Sequence, residues 1–81
     1  MGGHFRPVKV REIEAVLKHL RFTPEKQRAT SHQHWRGQYG GKFRKVTVDA
    51  NNAPFVDRAL KYMLDQIGIS KADFFATLDS L

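Results

Sequence analysis

Ile13, Val16, Leu17 and Leu20 fall at i, i+3, i+4 and i+7, the spacing of one buried helical stripe. This predicts an amphipathic helix that begins between Lys9 and Glu12. Met1 to Pro7 carries two glycines and a proline and reads as a flexible N-terminal segment ahead of a single domain over 8–81. Phe22 to Arg28 is polar and interrupted by Pro24. A strand there belongs at a sheet edge or starts after residue 24, because proline gives the ladder no donor. Thr30 to Arg36 alternates as a strand does, Phe43 to Val48 is a second and β-branched one, and Gln38-Tyr39-Gly40-Gly41 between them is turn material.

The second half is helical in pattern. Asn51-Asn52-Ala53-Pro54 has the form of a helix start, with an Asn cap and proline in the first turn. Val56, Leu60, Met63, Leu64 and Ile67 trace one stripe, and Gly68 ends it. Ser70 caps a last helix, Asp73 completes part of a capping box, and Phe74, Phe75 and Leu78, with Leu81 beyond, are its apolar positions. The order is α-β-β-β-α-α, a small α+β sandwich with helices on one sheet face.

Alternation gives Thr30-Ser31-His32-Gln33-His34-Trp35-Arg36 two distinct faces. Ser31, Gln33 and Trp35 share one, and His32, His34 and Arg36 share the other. Trp35 is the large apolar residue of the segment, so its face is expected to meet the helices. The histidines and Arg36 then lie on the open face, where Arg28, Lys42, Arg44 and Lys45 on neighbouring segments are expected to add cations. Histidine serves as acid or base near neutral pH, and arginine and lysine stabilise charge on phosphoryl oxygens. Such a face suits cleavage of RNA, whose own 2′-hydroxyl is the nucleophile. His19, in the last turn of the first helix, suits the helix dipole instead. His32 and His34 lack a visible third metal ligand, so neither metal nor cofactor is expected. Met63 and the phenylalanines read as packing residues.

Composition narrows the function further. Fourteen Lys and Arg stand against eight Asp and Glu in 81 residues, which favours a polyanionic partner. The charge is uneven: 1–48 holds eleven Lys and Arg against three Glu, a net +8, and 49–81 holds three against five Asp, a net −2. A domain of this size buries only about 60% of its unfolded-chain surface, so a deep substrate cavity would compete with the core. The absence of cysteine excludes disulfides, a thiol nucleophile and thiolate metal sites. There is no spanning apolar run or signal-peptide pattern, and Arg6 breaks a myristoylation motif at Met1-Gly2-Gly3. The expectation is a cytoplasmic protein.

Taken in order, several short motifs resemble the HicA (YcfA-like) family of toxin mRNA interferases from about Val10 to Phe75. Arg11-Glu12-Ile13 through Leu17 is similar to the family's opening helix. Ser31-His32-Gln33-His34-Trp35 is similar to its Gly-Ser-His strand, and Val46-Thr47-Val48 to its Val-Thr-Val strand. Met63-Leu64 with Gly68-Ile69-Ser70, and then Phe74, match its later helix and the segment after it. Thr30 replaces the glycine before Ser-His, Arg21 stands where glycine commonly precedes the aromatic, and Arg58-Ala59 replaces a usual Gly-Thr.

The resemblance implies a double-stranded-RNA-binding-domain-like α-β-β-β-α fold, here with an extra short C-terminal helix. It implies metal-independent cleavage of mRNA, with the family's essential histidine at His32; His34, on the same strand face, is the expected partner or orienting group. A HicB-type antitoxin would occlude the active face, in a homodimer or a toxin–antitoxin hetero-oligomer. Arg28, Arg36, Lys42, Arg44 and Lys45 are the expected RNA-binding residues. The same basic face also suits a non-catalytic RNA-binding module, or an interaction domain for an acidic protein.

Overall fold

The first helical stripe folds as its spacing requires. In a computed structural model that describes residues 6–26 and 31–81, helix α1 spans Val10–His19 and buries Ile13, Val16 and Leu17. Its start is fixed by Glu12, whose carboxylate accepts the Lys9 backbone N–H at 2.9 Å and so satisfies one orphan donor of the first turn. Lys18 and His19 lie in the last turn, where positive charge opposes the helix dipole favourably. Arg21 then takes a left-handed backbone with φ 68°, and the Phe22 N–H returns to the Leu17 carbonyl at 2.9 Å. That turn delivers Phe22 into the core at 2% exposure. Of the N-terminal segment, Met1–Phe5 lie outside the described residues. Arg6 is held by Glu12 and Asp79 and lies over the Phe75 ring.

Strands β1 (Thr23–Pro24), β2 (His32–Tyr39) and β3 (Lys42–Asp49) form an antiparallel sheet in that order. Pro24 is on the edge strand, as its missing donor demands. Gly40 and Gly41, at φ 62° and 79°, make the two-residue turn with paired positive φ whose twist suits a hairpin. Because the turn takes only those two residues, Gln38 and Tyr39 join the ladder, and β2 runs past the expected end at Arg36. Tyr39 lies opposite Lys42, Trp35 opposite Val46 and His32 opposite Asp49. Trp35, Val46 and Val48 are buried and join the helices' apolar residues in one core. The Trp35 indole N–H has no hydrogen-bond partner among the described residues.

The second helix departs from its expected start. Asn51-Asn52-Ala53-Pro54 does not open a helix: Ala50–Asn52 form a 3₁₀ turn whose cap is Asp49, which accepts the Asn51 N–H at 3.0 Å. Phe55 is instead extended and exchanges backbone hydrogen bonds with Val8, at 2.8 and 3.0 Å. Both side chains are buried in the core, so this long-range pairing overrides the local signal. Helix α2 therefore spans Asp57–Ile67, and Val56 is its half-exposed N-cap and not part of the buried stripe. Leu60, Met63, Leu64 and Ile67 face inward, and Gly68 closes the helix in a left-handed conformation. The Gln66 side chain accepts the Thr47 backbone N–H of β3 at 3.0 Å. Ser70 accepts the Asp73 N–H at the start of α3 (Lys71–Asp79), which buries Phe74. Phe75 and Leu78 pack against the core from partly buried positions, and Leu81 is exposed.

One close approach tests this packing. A Cβ at Gly37 would sit 2.6 Å from two Phe22 ring atoms, too near for any rotamer adjustment of a buried ring. Gly37→Ala should therefore destabilise the domain by about 1–3 kcal/mol, measured by urea denaturation. An unchanged midpoint would mean that Phe22 does not pack across β2 there.

Candidate functional site

Directly opposed residues of an antiparallel pair share a sheet face. The β2–β3 register therefore puts His32 with Asp49, His34 with Thr47, Arg36 with Lys45 and Gln38 with Phe43 on the face away from Trp35. The expected outward placement of His32, His34 and Arg36 is observed.

His32 and Asp49 form the most organised part of this face. His32 Nε2 lies 3.3 Å from Asp49 Oδ2, with the His32 side chain 53% exposed and that of Asp49 23%. The other carboxylate oxygen accepts the Ser31 hydroxyl at 2.8 Å and the Asn51 backbone N–H at 3.0 Å. Asn51 Nδ2 in turn donates to Ser31 Oγ at 2.9 Å. The Ser31 hydroxyl, then the Asn51 amide, and to a lesser degree the neighbouring imidazole hold the Asp49 carboxyl below the usual aspartate range, against a desolvation that opposes them. A carboxylate held by two donors, one of them itself fixed by Asn51 Nδ2, presents a constant orientation to the imidazole, the arrangement that positions histidine for proton transfer. Beside the pair is an open hollow of about 200 Å³ lined by His32, Thr47, Asp49, Asn52, Tyr62 and Met63, among others.

Further along β2, His34 Nδ1 is 2.8 Å from Thr47 Oγ1. Arg36 is ion-paired with Glu25. The Glu25 backbone extends the β1 pairing by donating its N–H to the His34 carbonyl at 2.8 Å.

The cations divide differently from the expectation. Lys45 lies beside Arg36 on the histidine face, but Lys42 and Arg44 pair with Tyr39 and Gly37 and so belong to the opposite face. Arg44 donates from Nε to the Tyr39 carbonyl at 3.3 Å, and its guanidinium lies where a Cβ on Gly68 would be. Strict alternation along β3 separates these residues, which proximity in sequence does not reveal. Arg28 and Thr30 lie outside the described residues. Ser31, expected to point inward, reaches Asp49 on the histidine face, because it precedes the regular strand. Phe43, expected to pack, is 85% exposed.

Asp49, Asn51, Tyr62 and Glu25 were not among the expected site residues. Asp49 had a readable signal. A two-residue Gly40-Gly41 turn sets Tyr39 against Lys42, and counting back along both strands sets His32 against Asp49. Tyr62 had none, because its place beside His32 depends on how α2 packs.

No group of three or more His, Cys, Asp or Glu among the described residues is arranged to hold a metal ion. No helix among them is long and apolar enough to cross a membrane. Comparison of the chain with protein-family models, curated proteins and solved structures gives no match.

The lowered Asp49 pKa has a measurable consequence. A carboxyl depressed by folding contributes stability above its unfolded pKa and loses it as the pH falls through the lower folded value. Urea midpoints should therefore fall below about pH 4, and Asp49→Asn should flatten that decline. Some slope remains in the variant because Glu12, lowered chiefly by the Lys9 backbone N–H, behaves in the same sense. Parallel curves for the two proteins would show that Asp49 is not held in this network.

Proposed function

We propose that this chain is a small, metal-independent endoribonuclease of the HicA toxin type, with His32 as its proton-transfer group. The observation that carries the reading is the His32–Asp49 pair, fixed by Ser31 and Asn51 on the open sheet face that also carries His34, Arg36 and Lys45. The α-β-β-β-α order with an added C-terminal helix is consistent with a double-stranded-RNA-binding-domain-like fold. Arg21 adds support: it occupies left-handed backbone at the position where the family commonly has glycine, so the turn geometry is kept although the residue differs.

The chemistry follows from the substrate. His32 takes the proton of a 2′-hydroxyl as the new O2′–P bond forms, and Asp49 orients the ring and stabilises the resulting imidazolium. The P–O5′ bond breaks, leaving a 2′,3′-cyclic phosphate and an O5′ that must be protonated. His34 lies two residues along β2, about 7 Å away, a separation that suits donation to the leaving oxygen on the far side of the phosphorus. Thr47 at Nδ1 holds that ring for the task. Arg36 and Lys45, the next pair on this face beyond His34 and Thr47, hold the phosphates that adjoin the scissile one. Lys42 and Arg44 are assigned no part in this step. In the cell, such an activity on mRNA would be cytoplasmic and would call for a HicB-type antitoxin covering the His32 face.

Purified protein should cut RNA equally well with and without EDTA. His32→Ala should lower the rate about 10²–10⁴-fold and abolish growth inhibition, with circular dichroism and melting temperature close to wild type because His32 is exposed. Asp49→Asn should reduce the rate with Ser31 and Asn51 still present. Unchanged cleavage by His32→Ala overturns the assignment, and salt-sensitive binding of intact RNA by the wild type identifies a non-catalytic RNA-binding module instead.

A further inference from the structure

Phe43 is the most exposed large apolar side chain among the described residues, at 85%, compared with 66% for Tyr62 and 56% for Leu81. A single exposed apolar residue is ordinary on a protein surface, so its setting matters more than its exposure. Phe43 lies on the same sheet face as His32, His34, Arg36 and Lys45, opposite Gln38 and next to the Arg36–Lys45 pair. It also borders two open hollows. One, of about 580 Å³, is lined by Leu20, Arg21, Thr23, Arg36 and Gln38 among others, and the other, of about 290 Å³, by residues that include Arg36 and Lys45. An aromatic ring that shares these hollows with Arg21, Arg36 and Lys45 combines a stacking surface with phosphate partners.

We infer that Phe43 is a base-stacking residue for single-stranded RNA, at the far end of a track that runs along the hairpin to His32. The inference rests on the ribonuclease reading for its direction and extends that reading to the substrate class. Phe43 and Asp49 are six positions apart along β3, about 20 Å at strand rise, room for a few unpaired nucleotides. Arg36 and Lys45 lie along that interval, where the connecting phosphates would pass. The strand must be unpaired, because a base within a duplex already has its faces covered by its neighbours, whereas a splayed base can lie on an aromatic side chain. Arg21 and Lys45, with Arg36 shared with Glu25, favour a polyanion over an apolar protein segment, which gains nothing from cations.

The test uses the full chain carrying His32→Ala, so that RNA survives, and reads fluorescence anisotropy with a short labelled single-stranded oligoribonucleotide and with an RNA duplex. Adding Phe43→Ala should weaken single-strand binding about 10- to 100-fold, with the salt dependence unchanged because no phosphate contact is removed. Phe43→Leu, which keeps apolar bulk without a ring face, should weaken it similarly. Phe43→Trp should stay within about twofold of the parent, and duplex binding should not respond to any of the three. The melting temperature should not move, because the ring is exposed. Single-strand affinity that survives Phe43→Ala, a leucine as good as phenylalanine, an effect confined to an acidic protein partner, or no single-strand binding at all each overturns the stacking role. Failure of the ribonuclease reading looks different: unsubstituted protein would bind single strands through Phe43 and leave them uncut.

Discussion

The register of the β2–β3 hairpin is the constraint on which the molecule depends. Gly40 and Gly41 accept the positive φ of a two-residue turn, and from Tyr39–Lys42 onward each pair follows without a choice. A slip of one residue would send Trp35 into water and draw His32 into the core. Burial of Trp35, Val46 and Val48 against the helices prevents that slip, at about 1.5–3 kcal/mol for each large apolar side chain removed from water. The same alternation that builds the core thus delivers His32, His34 and Arg36 together to the other face.

Asp49 joins that face to the chain that follows. It ends β3, opposes His32, and caps the 3₁₀ turn of Ala50–Asn52 through the Asn51 N–H. Ser31 ties it back to the start of β2. The carboxylate that orients the imidazole is therefore also the residue that turns the chain toward the Val8–Phe55 bridge and α2. Glu25 has the opposite effect on the cationic part of the face. By pairing with Arg36, it offsets one of the cations that this face presents.

The elements visible in the sequence are those specified by near neighbours. The stripe of α1, the Gly40-Gly41 turn, the Gly68 stop and the Ser70 cap each need only a few adjacent residues. The start of α2 was misleading because a strong local signal, Asn51-Asn52-Ala53-Pro54, competes with burial of Phe55 against Val8, whose partner lies far away in the chain. At the site, the histidine face was legible from alternation alone. The carboxylate required the register to be carried across the turn. Lys42 and Arg44 were grouped with Lys45 by closeness in sequence, although period two places them on the other side. Residue type alone assigns Phe43 to packing, yet it sits near the hairpin tip on the side away from the core.

The bond from the Thr47 N–H to Gln66 bears on how a partner can approach. Thr47 is on the outer margin of β3, where a bare amide would invite another chain to extend the sheet. The helix side chain occupies that amide. At the opposite margin, β1 is only two residues long and one of them is Pro24, which has no amide hydrogen to offer. Backbone-mediated strand addition is thus discouraged at β1 and at the Thr47 position of β3. At those two places the backbone has no free amide hydrogen to offer a neighbouring chain, and what the hairpin presents there is the side chains of its open face, His32, Arg36 and Phe43 among them.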